Sequence, residues 1–417
     1  MLAELNEARL ITTIVIINIL AERLLWRTRQ IGLPAIARRR RRRNEWKALV
    51  YKASRNRPGT ATAPLELDSY RLLGRSGLRV SPLALGTMTF GTDWGWGADK
   101  DEARRIFDHY VGRGGNFIDT ASQYTNGTAE EWLGEFAGAE RESLVLATKY
   151  SAVRRLTDPN SGGNHRKSMV ASVEASLRRL RTDYVDLLYL HLWDGLTPAD
   201  EIVRAMDDLV RAGKVLYVGV SDTPAWQVAR MQTIAELRGW SPLIALQIEY
   251  NLIERTVERE LIPMAGELGL GVVSWSPLAG GVLTGKYRRT DLGGASSSTG
   301  GSRKDIALAN ESLTERGLAI ADLVTEIAGQ LGRTPAEVAL AWSMHHPAVT
   351  APVLGARTVR QLQDNLGALD LVLDEHHRER LDRATAVRLG FPHDFLARPL
   401  ARRTVFGDMR IQAGSHN

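Results

Sequence analysis

SLVLATKY (143–150), HRKSMVASVEASLRRL (165–180), DYVDLLYLH (183–191), ADEIVRAMDDLVRAGK (199–214) and VLYVGVS (215–221) follow one another along one stretch of the chain, and they decide the fold. The first, third and fifth are short, nearly unbroken apolar runs. A strand covered on both faces reads this way. The second and fourth carry apolar residues at helical steps. In the 165–180 segment Val170, Val173, Leu177 and Leu180 mark one helix face expected to be buried. Strand and helix in strict alternation imply parallel strands joined by crossover helices.

The alternation continues on both sides. Further strands are expected at PLALGT (82–87), NFIDTA (116–121), LIALQIEYN (243–251), GVVSWSPL (271–278) and AVTAPVLGA (348–356). Further helices are expected at DEARRIFDHYVGRGG (101–115), AWQVARMQTIAELRG (225–239) and TVERELIPMAGELG (256–269). Eight such units in one domain of roughly 300 residues favour a closed (β/α)₈ TIM barrel over a doubly wound sheet. No Gly-x-Gly-x-x-Gly follows the first strand, so the doubly wound nucleotide fold lacks its fingerprint. YRLLGRSGLRVS (70–81), with its Gly-Arg-Ser-Gly turn, reads as a small hairpin before the barrel.

Composition sets the limits of function. The 417 residues include no cysteine, which excludes disulfides, thiolate metal ligands and a thiolate nucleophile. The formal charge of +6 is unevenly placed. Residues 1–69 hold 14 Lys and Arg against 6 Asp and Glu, a net of +8 that leaves −2 for the other 348 residues. The main body therefore gives no electrostatic case for nucleic-acid binding.

Residues 1–69 read as a basic, disordered extension or a misassigned start, ending in a linker (57–69). Leu10–Leu20 is too short to span a bilayer, and the flanks do not suit a secretory signal. Six arginines, Arg38–Arg43, leave a membrane-surface anchor or a nucleic-acid arm as alternatives. Residues 70–396 form the expected barrel domain and 397–417 a tail. No membrane span is expected, and the expected location is cytoplasmic.

In a TIM barrel the reactive groups stand at the C-terminal ends of the strands. Expected strands end in Asp119, Lys149, His191 and Ser221-Asp222, with Tyr124 five residues beyond Asp119, and the sixth expected strand carries Gln247 and Asn251. Taken singly, Asp119 reads equally as a turn residue, Lys149 as a snorkelling lysine and His191 as a core histidine. Together they suggest carbonyl reduction. An ammonium lowers the pKa of a neighbouring phenol, and a buried ammonium needs a carboxylate partner. A histidine beside the phenol can hold a carbonyl oxygen. No side chain donates hydride, so a nicotinamide cofactor is required.

The motifs GTMTFG (86–91), GNFIDTASQY (115–124), LATKY (146–150), LLYLHLWD (187–194), GVSD (219–222), LQIEYNL (246–252), WSPLAGGVLTGKY (275–287) and LGARTVRQLQDNLGAL (354–369) resemble the aldo-keto reductase superfamily over residues 70–396. The chain looks closest to the aryl-alcohol-dehydrogenase-like branch, and more distantly resembles potassium channel β-subunits. The resemblance implies a catalytic tetrad of Asp119, Tyr124, Lys149 and His191, with Tyr124 the proton donor. It implies NADP(H) held by Thr87, Met88, Ser221, Asp222, Gln247, Trp275, Ser276, Pro277, Leu278, Gly280, Lys286, Gly355, Arg357, Gln361, Asp364 and Asn365. Asp222 stands where Asn is common in that motif. Arg357 is the expected partner of the 2′-phosphate that separates NADPH from NADH.

Phe90, Trp94, Trp96, Trp193, Phe391 and Phe395 are the expected substrate-pocket residues, suited to an aromatic or apolar carbonyl. RRTDLGGASSSTGGSRK (288–304) and the residue after it read as a long loop, expected to act as a lid. GGVLTGKY (280–287) approaches a P-loop, but Tyr287 replaces the metal-holding hydroxyl. The pairs His345-His346 and His376-His377 are expected at the surface, and no metal site is expected. The rival reading is a nicotinamide-binding regulatory subunit of slow turnover.

Overall fold

The computed structural model describes residues 64–292, 302–407 and 409. Leu10–Leu20, Arg38–Arg43 and the middle of the 288–305 loop lie outside the described residues. The described residues from 64 to 397 belong to the barrel unit, and the helix Pro399–Phe406 lies outside it.

A two-strand antiparallel hairpin comes first, β1 (Arg71–Leu72) and β2 (Arg79–Val80). Eight parallel strands follow: β3 (Ala84–Gly86), β4 (Phe117–Asp119), β5 (Val145–Tyr150), β6 (Val185–Leu190), β7 (Val215–Ser221), β8 (Leu243–Glu249), β9 (Gly271–Trp275) and β10 (Val349–Gly355). They pair in chain order, and β10 closes on β3. All eight expected strands are present, most of them shorter than their apolar text. Strands stop where the backbone turns to the loops that carry polar groups, and apolar text runs on into those loops.

The expected helices form at Lys100–Gly112, Arg166–Leu180, Ala199–Arg211, Ala225–Arg238 and Leu261–Leu268. In Arg166–Leu180 one expectation needs correction. Val173, Leu177 and Leu180 are buried, with Met169, Ser172 and Ser176, but Val170 is 37% exposed. At about 100° per residue, Val170 lies about 20° outside Leu177, itself at the rim of the buried stripe. The stripe is completed by small serines, which let the helix approach the sheet closely and carry no apolar signal.

The hairpin packs against the N-terminal ends of the strands. Leu73 and Val80 join Ala84, Phe117, Val145, Leu187, Ile244 and Val273 in one buried cluster. Gly74 has φ +58°, and a Cβ there would lie 2.3 Å from the Ile244 carbonyl oxygen. Only glycine fits this turn against the barrel floor. The segment just before the hairpin also belongs to the barrel. Leu67 is fully buried and the Leu65 amide donates to the Leu369 carbonyl at 2.9 Å, so these residues pack on the barrel ahead of the expected boundary at residue 70. A lone leucine between Glu66 and Asp68 has no periodicity to announce it.

Candidate active site

Side chains alternate across a strand, so one parity of each strand fills the barrel. Phe117, Val145, Ala147, Leu187, Tyr189, Ala245 and Val273 take that parity in the floor of the barrel. Two residues on, the same parity brings Asp119, Lys149, His191, Gln247 and Trp275 to the C-terminal rim. They converge on a cavity of about 310 Å³ lined by Asp119, Tyr124, His191, Ser221, Gln247 and Trp275, among others.

Lys149 is fully buried and all three of its N–H groups are engaged. It donates to Asp119 Oδ1 at 2.5 Å, to the Thr120 carbonyl at 2.9 Å and to Tyr124 Oη at 3.1 Å. Gln247 Nε2 donates to Asp119 Oδ2 at 2.7 Å, so both oxygens of this buried carboxylate have partners. Burial presses the Lys149 ammonium toward the neutral form, but Asp119 and Tyr124 more than offset it, and its pKa lies above the ordinary value. Lys149 is therefore a fixed positive charge under the phenol.

Tyr124 departs from expectation. Burial pushes its pKa up by more than Lys149 pulls it down, so the phenol lies above its ordinary value. Desolvation of a phenolate outweighs one ammonium here, because Asp119 shares that ammonium. Tyr124 comes from a turn, Tyr124–Gly127, with Thr125 and Asn126 at φ +46° and +58°. Thr125 Oγ1 ties this turn to the Phe90 carbonyl at 2.6 Å. His191 meets Tyr124 edge-on at 6.0 Å between ring centroids. Burial first, then the Lys149 charge, push its pKa down to about 3, so the imidazole is neutral.

The neighbouring rim carries features that suit a dinucleotide. Ser221 Oγ is buried at the end of β7 and lines the cavity; among the described residues it makes no well-formed hydrogen bond, the Asp222 carboxylate being the group beside it. Trp275 lines the cavity, its Nε1 donating to Asp222 Oδ1 at 3.0 Å. Asp222 thus positions the Trp275 ring. Burial raises its pKa, against the hydrogen bond from Trp275. Beyond Trp275 the chain turns through left-handed Ser276, Ala279, Gly280 and Gly281, the kind of backbone concavity that receives anions. A Cβ on Gly281 would lie 2.6 Å from Lys286 Nζ, so this ammonium is folded over the same loop. A buried hydroxyl on the cavity wall, an aromatic face and a cationic loop fit a nicotinamide, its carboxamide and a pyrophosphate.

Residues 82–386 match the model of the Aldo/keto reductase family. The chain belongs to this family. It is 37% identical over 350 residues to a norsolorinic acid reductase of Aspergillus flavus, covering 81% of this chain and 87% of the relative. It is 40% identical over 318 residues to the oxidoreductase YrpG of Bacillus subtilis, covering 73% and 92%. It is 33% identical over 350 residues to the putative aryl-alcohol dehydrogenase AAD14 of Saccharomyces cerevisiae, covering 80% and 91%. This aldo/keto reductase is accordingly an oxidoreductase on a TIM barrel.

Of the residues expected in its site, Met88, Asp222, Ser276, Pro277, Leu278, Gly280 and Gly355 line the cavity with those already named. Thr87 lies beneath it, its Oγ1 bonded to the Asp119 carbonyl at 3.2 Å. Arg357 and Gln361 are exposed beyond Gly355, joined by a 2.9 Å bond from the Arg357 amide to Gln361 Oε1. Asp364 is exposed and Asn365 buried on the helix Val359–Leu366. These four are outside the cavity lining.

Most of the substrate expectations need correction. Trp94 lines the cavity and Trp96 packs behind it at 5.8 Å between ring centroids. Phe90 is fully buried against Phe136, a core residue. Trp193 packs half-buried on the core. Phe391 and Phe395 are exposed and pack on each other. Aromatic text near a strand end cannot distinguish cavity from core. Gln123, Thr89, Ile306, Asn310 and Val353 line the cavity without having been expected. Gln123 lies inside GNFIDTASQY, and its adjacency to Tyr124 was the available signal.

Among the described residues no His, Asp and Glu cluster could hold a metal ion, and no helix is long and apolar enough to cross a membrane. His345 and His346 are half-buried rather than at the surface, His345 near the Leu371 carbonyl and His346 against the Tyr250 ring.

Proposed function

We propose that this oxidoreductase reduces an aromatic or otherwise apolar aldehyde or ketone to its alcohol, using NADPH. The observation that carries the reading is the hydrogen-bond count at Lys149. All three donors are committed, and the third makes Tyr124 Oη an acceptor. The phenol's own proton is then free to point into the cavity. A phenol holds that proton at neutral pH in any case, and the Lys149 ammonium favours the phenolate left when it is given up.

A bound nicotinamide would supply hydride to the carbonyl carbon. Tyr124 gives its proton to the carbonyl oxygen as negative charge develops there. Lys149 stabilises the resulting phenolate, and Asp119 with Gln247 holds Lys149 in place. Trp275 and Ser221 would hold the nicotinamide and its carboxamide. Ser276–Leu278, Gly280 and Lys286 would hold the pyrophosphate, and Arg357, Gln361, Asp364 and Asn365 the adenosine end. Trp94, backed by Trp96, offers an aromatic wall. The names of the relatives, a reductase of norsolorinic acid and an aryl-alcohol dehydrogenase, support an aromatic substrate.

A panel of aldehydes and ketones, assayed with NADPH and with NADH by loss of nicotinamide absorbance, tests this. Aromatic aldehydes with NADPH should turn over fastest. Arg357→Ala should weaken NADPH by about 10- to 150-fold, the value of a charge-assisted hydrogen bond, and NADH by less than about threefold. No turnover across the panel would overturn the assignment, and equal weakening of both cofactors would overturn the preference for NADPH.

A further inference from the structure

Gln123 precedes Tyr124, lines the cavity and places Oε1 3.2 Å from Nδ1 of His191. Among the described residues it is the one hydrogen-bond partner of this ring. An amide oxygen only accepts, so Nδ1 is the donor in this arrangement. A neutral imidazole has a single N–H. With the proton on Nδ1, Nε2 presents a lone pair. A carbonyl oxygen, which also presents lone pairs, gains nothing from that nitrogen. A half-turn of the Gln123 amide changes this. The terminal torsion of glutamine is broad and roughly two-fold, and turning it offers an N–H to the ring in place of the oxygen. Nδ1 then accepts, the proton it held leaves to water, and another arrives on Nε2. The net charge is unchanged and Nε2 becomes a donor.

We propose that Gln123 is a positioning residue that selects the tautomer of His191, and that its amide turns when a carbonyl enters the cavity. This rests on the reading of the site as a carbonyl-reducing one. The other groups around the ring are the Tyr124 phenol and, at the same rim, Lys149, Asp119 and Asp222. Burial, and after it the Lys149 charge, oppose protonation of the ring and keep His191 in the neutral form where tautomer choice matters. A carboxamide is suited to this task because it carries an acceptor and a donor on one rotatable plane. A carboxylate carries acceptors only, and a leucine carries neither.

The test uses the full chain labelled with ¹⁵N-histidine, the His191 signals being assigned by their loss in His191→Asn. The resting protein should show a protonated Nδ1 and a bare Nε2. Adding acetophenone with NADP⁺ should move the proton to Nε2. Gln123→Leu should lose the resting preference for Nδ1–H. In Gln123→Glu the neutral ring keeps Nδ1–H, so Nε2–H exists only in the imidazolium, whose pKa the new carboxylate raises. Reduction by that variant should therefore fall by about tenfold or more as pH rises through the His191 pKa, while the native protein shows no such limb. An unchanged tautomer in Gln123→Leu, or a native pH profile in Gln123→Glu, overturns the proposal. The resting spectra need no turnover. If they behave as stated and no carbonyl is reduced, the functional reading falls and the tautomer assignment stands.

Discussion

At the scale of single residues the site works by removing choices. The three donors of Lys149 meet three acceptors on its neighbours, so it cannot swing away without leaving a buried charge unpaired. Losing one partner of such a pair costs about 3–5 kcal/mol, which fixes the phenol above it. Asp119 is held in turn from its other side by Gln247. Tyr124→Phe keeps the ring and removes only the hydroxyl. Reduction should fall by about 10²- to 10⁴-fold, the usual contribution of a positioned general acid. Binding of NADPH, followed by quenching of tryptophan fluorescence, should change by less than about threefold. Native turnover in this variant would show that another group protonates the oxygen.

At the scale of elements, the helix Arg166–Leu180 shows how far a periodicity argument reaches. Its buried stripe contains Val173, Leu177 and Leu180, and also Ser168, Ser172 and Ser176, which no hydrophobic pattern would select. Leu180→Ala should destabilise the fold by about 2–5 kcal/mol, because it opens a cavity against the sheet. Val170→Ser should stay within about 0.5 kcal/mol, as at an ordinary surface position. Urea denaturation of both variants distinguishes them. Comparable losses would place Val170 on the buried face after all.

At the scale of the whole molecule, the barrel domain includes more of the chain than its motifs suggest. Leu67 is buried, the Leu65 amide bonds to the Leu369 carbonyl, and Glu66 pairs with Arg113. A chain beginning at Ala61 keeps these contacts and one beginning at Tyr70 loses them. The shorter chain should be less stable by about 2–4 kcal/mol, from one buried leucine and one backbone hydrogen bond. Thermal melts of the two truncations measure this directly. Equal melting temperatures would mean that residues 61–69 add nothing to the barrel.

Strand number, strand order and the rim positions of Asp119, Lys149 and His191 were legible in the sequence. Local rules suffice for them: apolar runs alternate with amphipathic ones, parallel strands need crossovers, and side chains alternate by two along a strand. The Gln247 bond to Asp119, the Gln123 contact with His191 and the Asp222 hold on Trp275 were not legible. Each joins residues from different strands or loops through distances of a few ångströms, and only closure of the barrel sets those distances. The same holds for the aromatic side chains. Phe90 and Trp94 are four residues apart in one loop, yet one is core and the other cavity wall. The phenol's pKa depended on tertiary structure too. Sequence placed an ammonium near Tyr124, but burial by the assembled rim turned the shift upward, because desolvation acts through everything that surrounds a group and not through its neighbours in the chain.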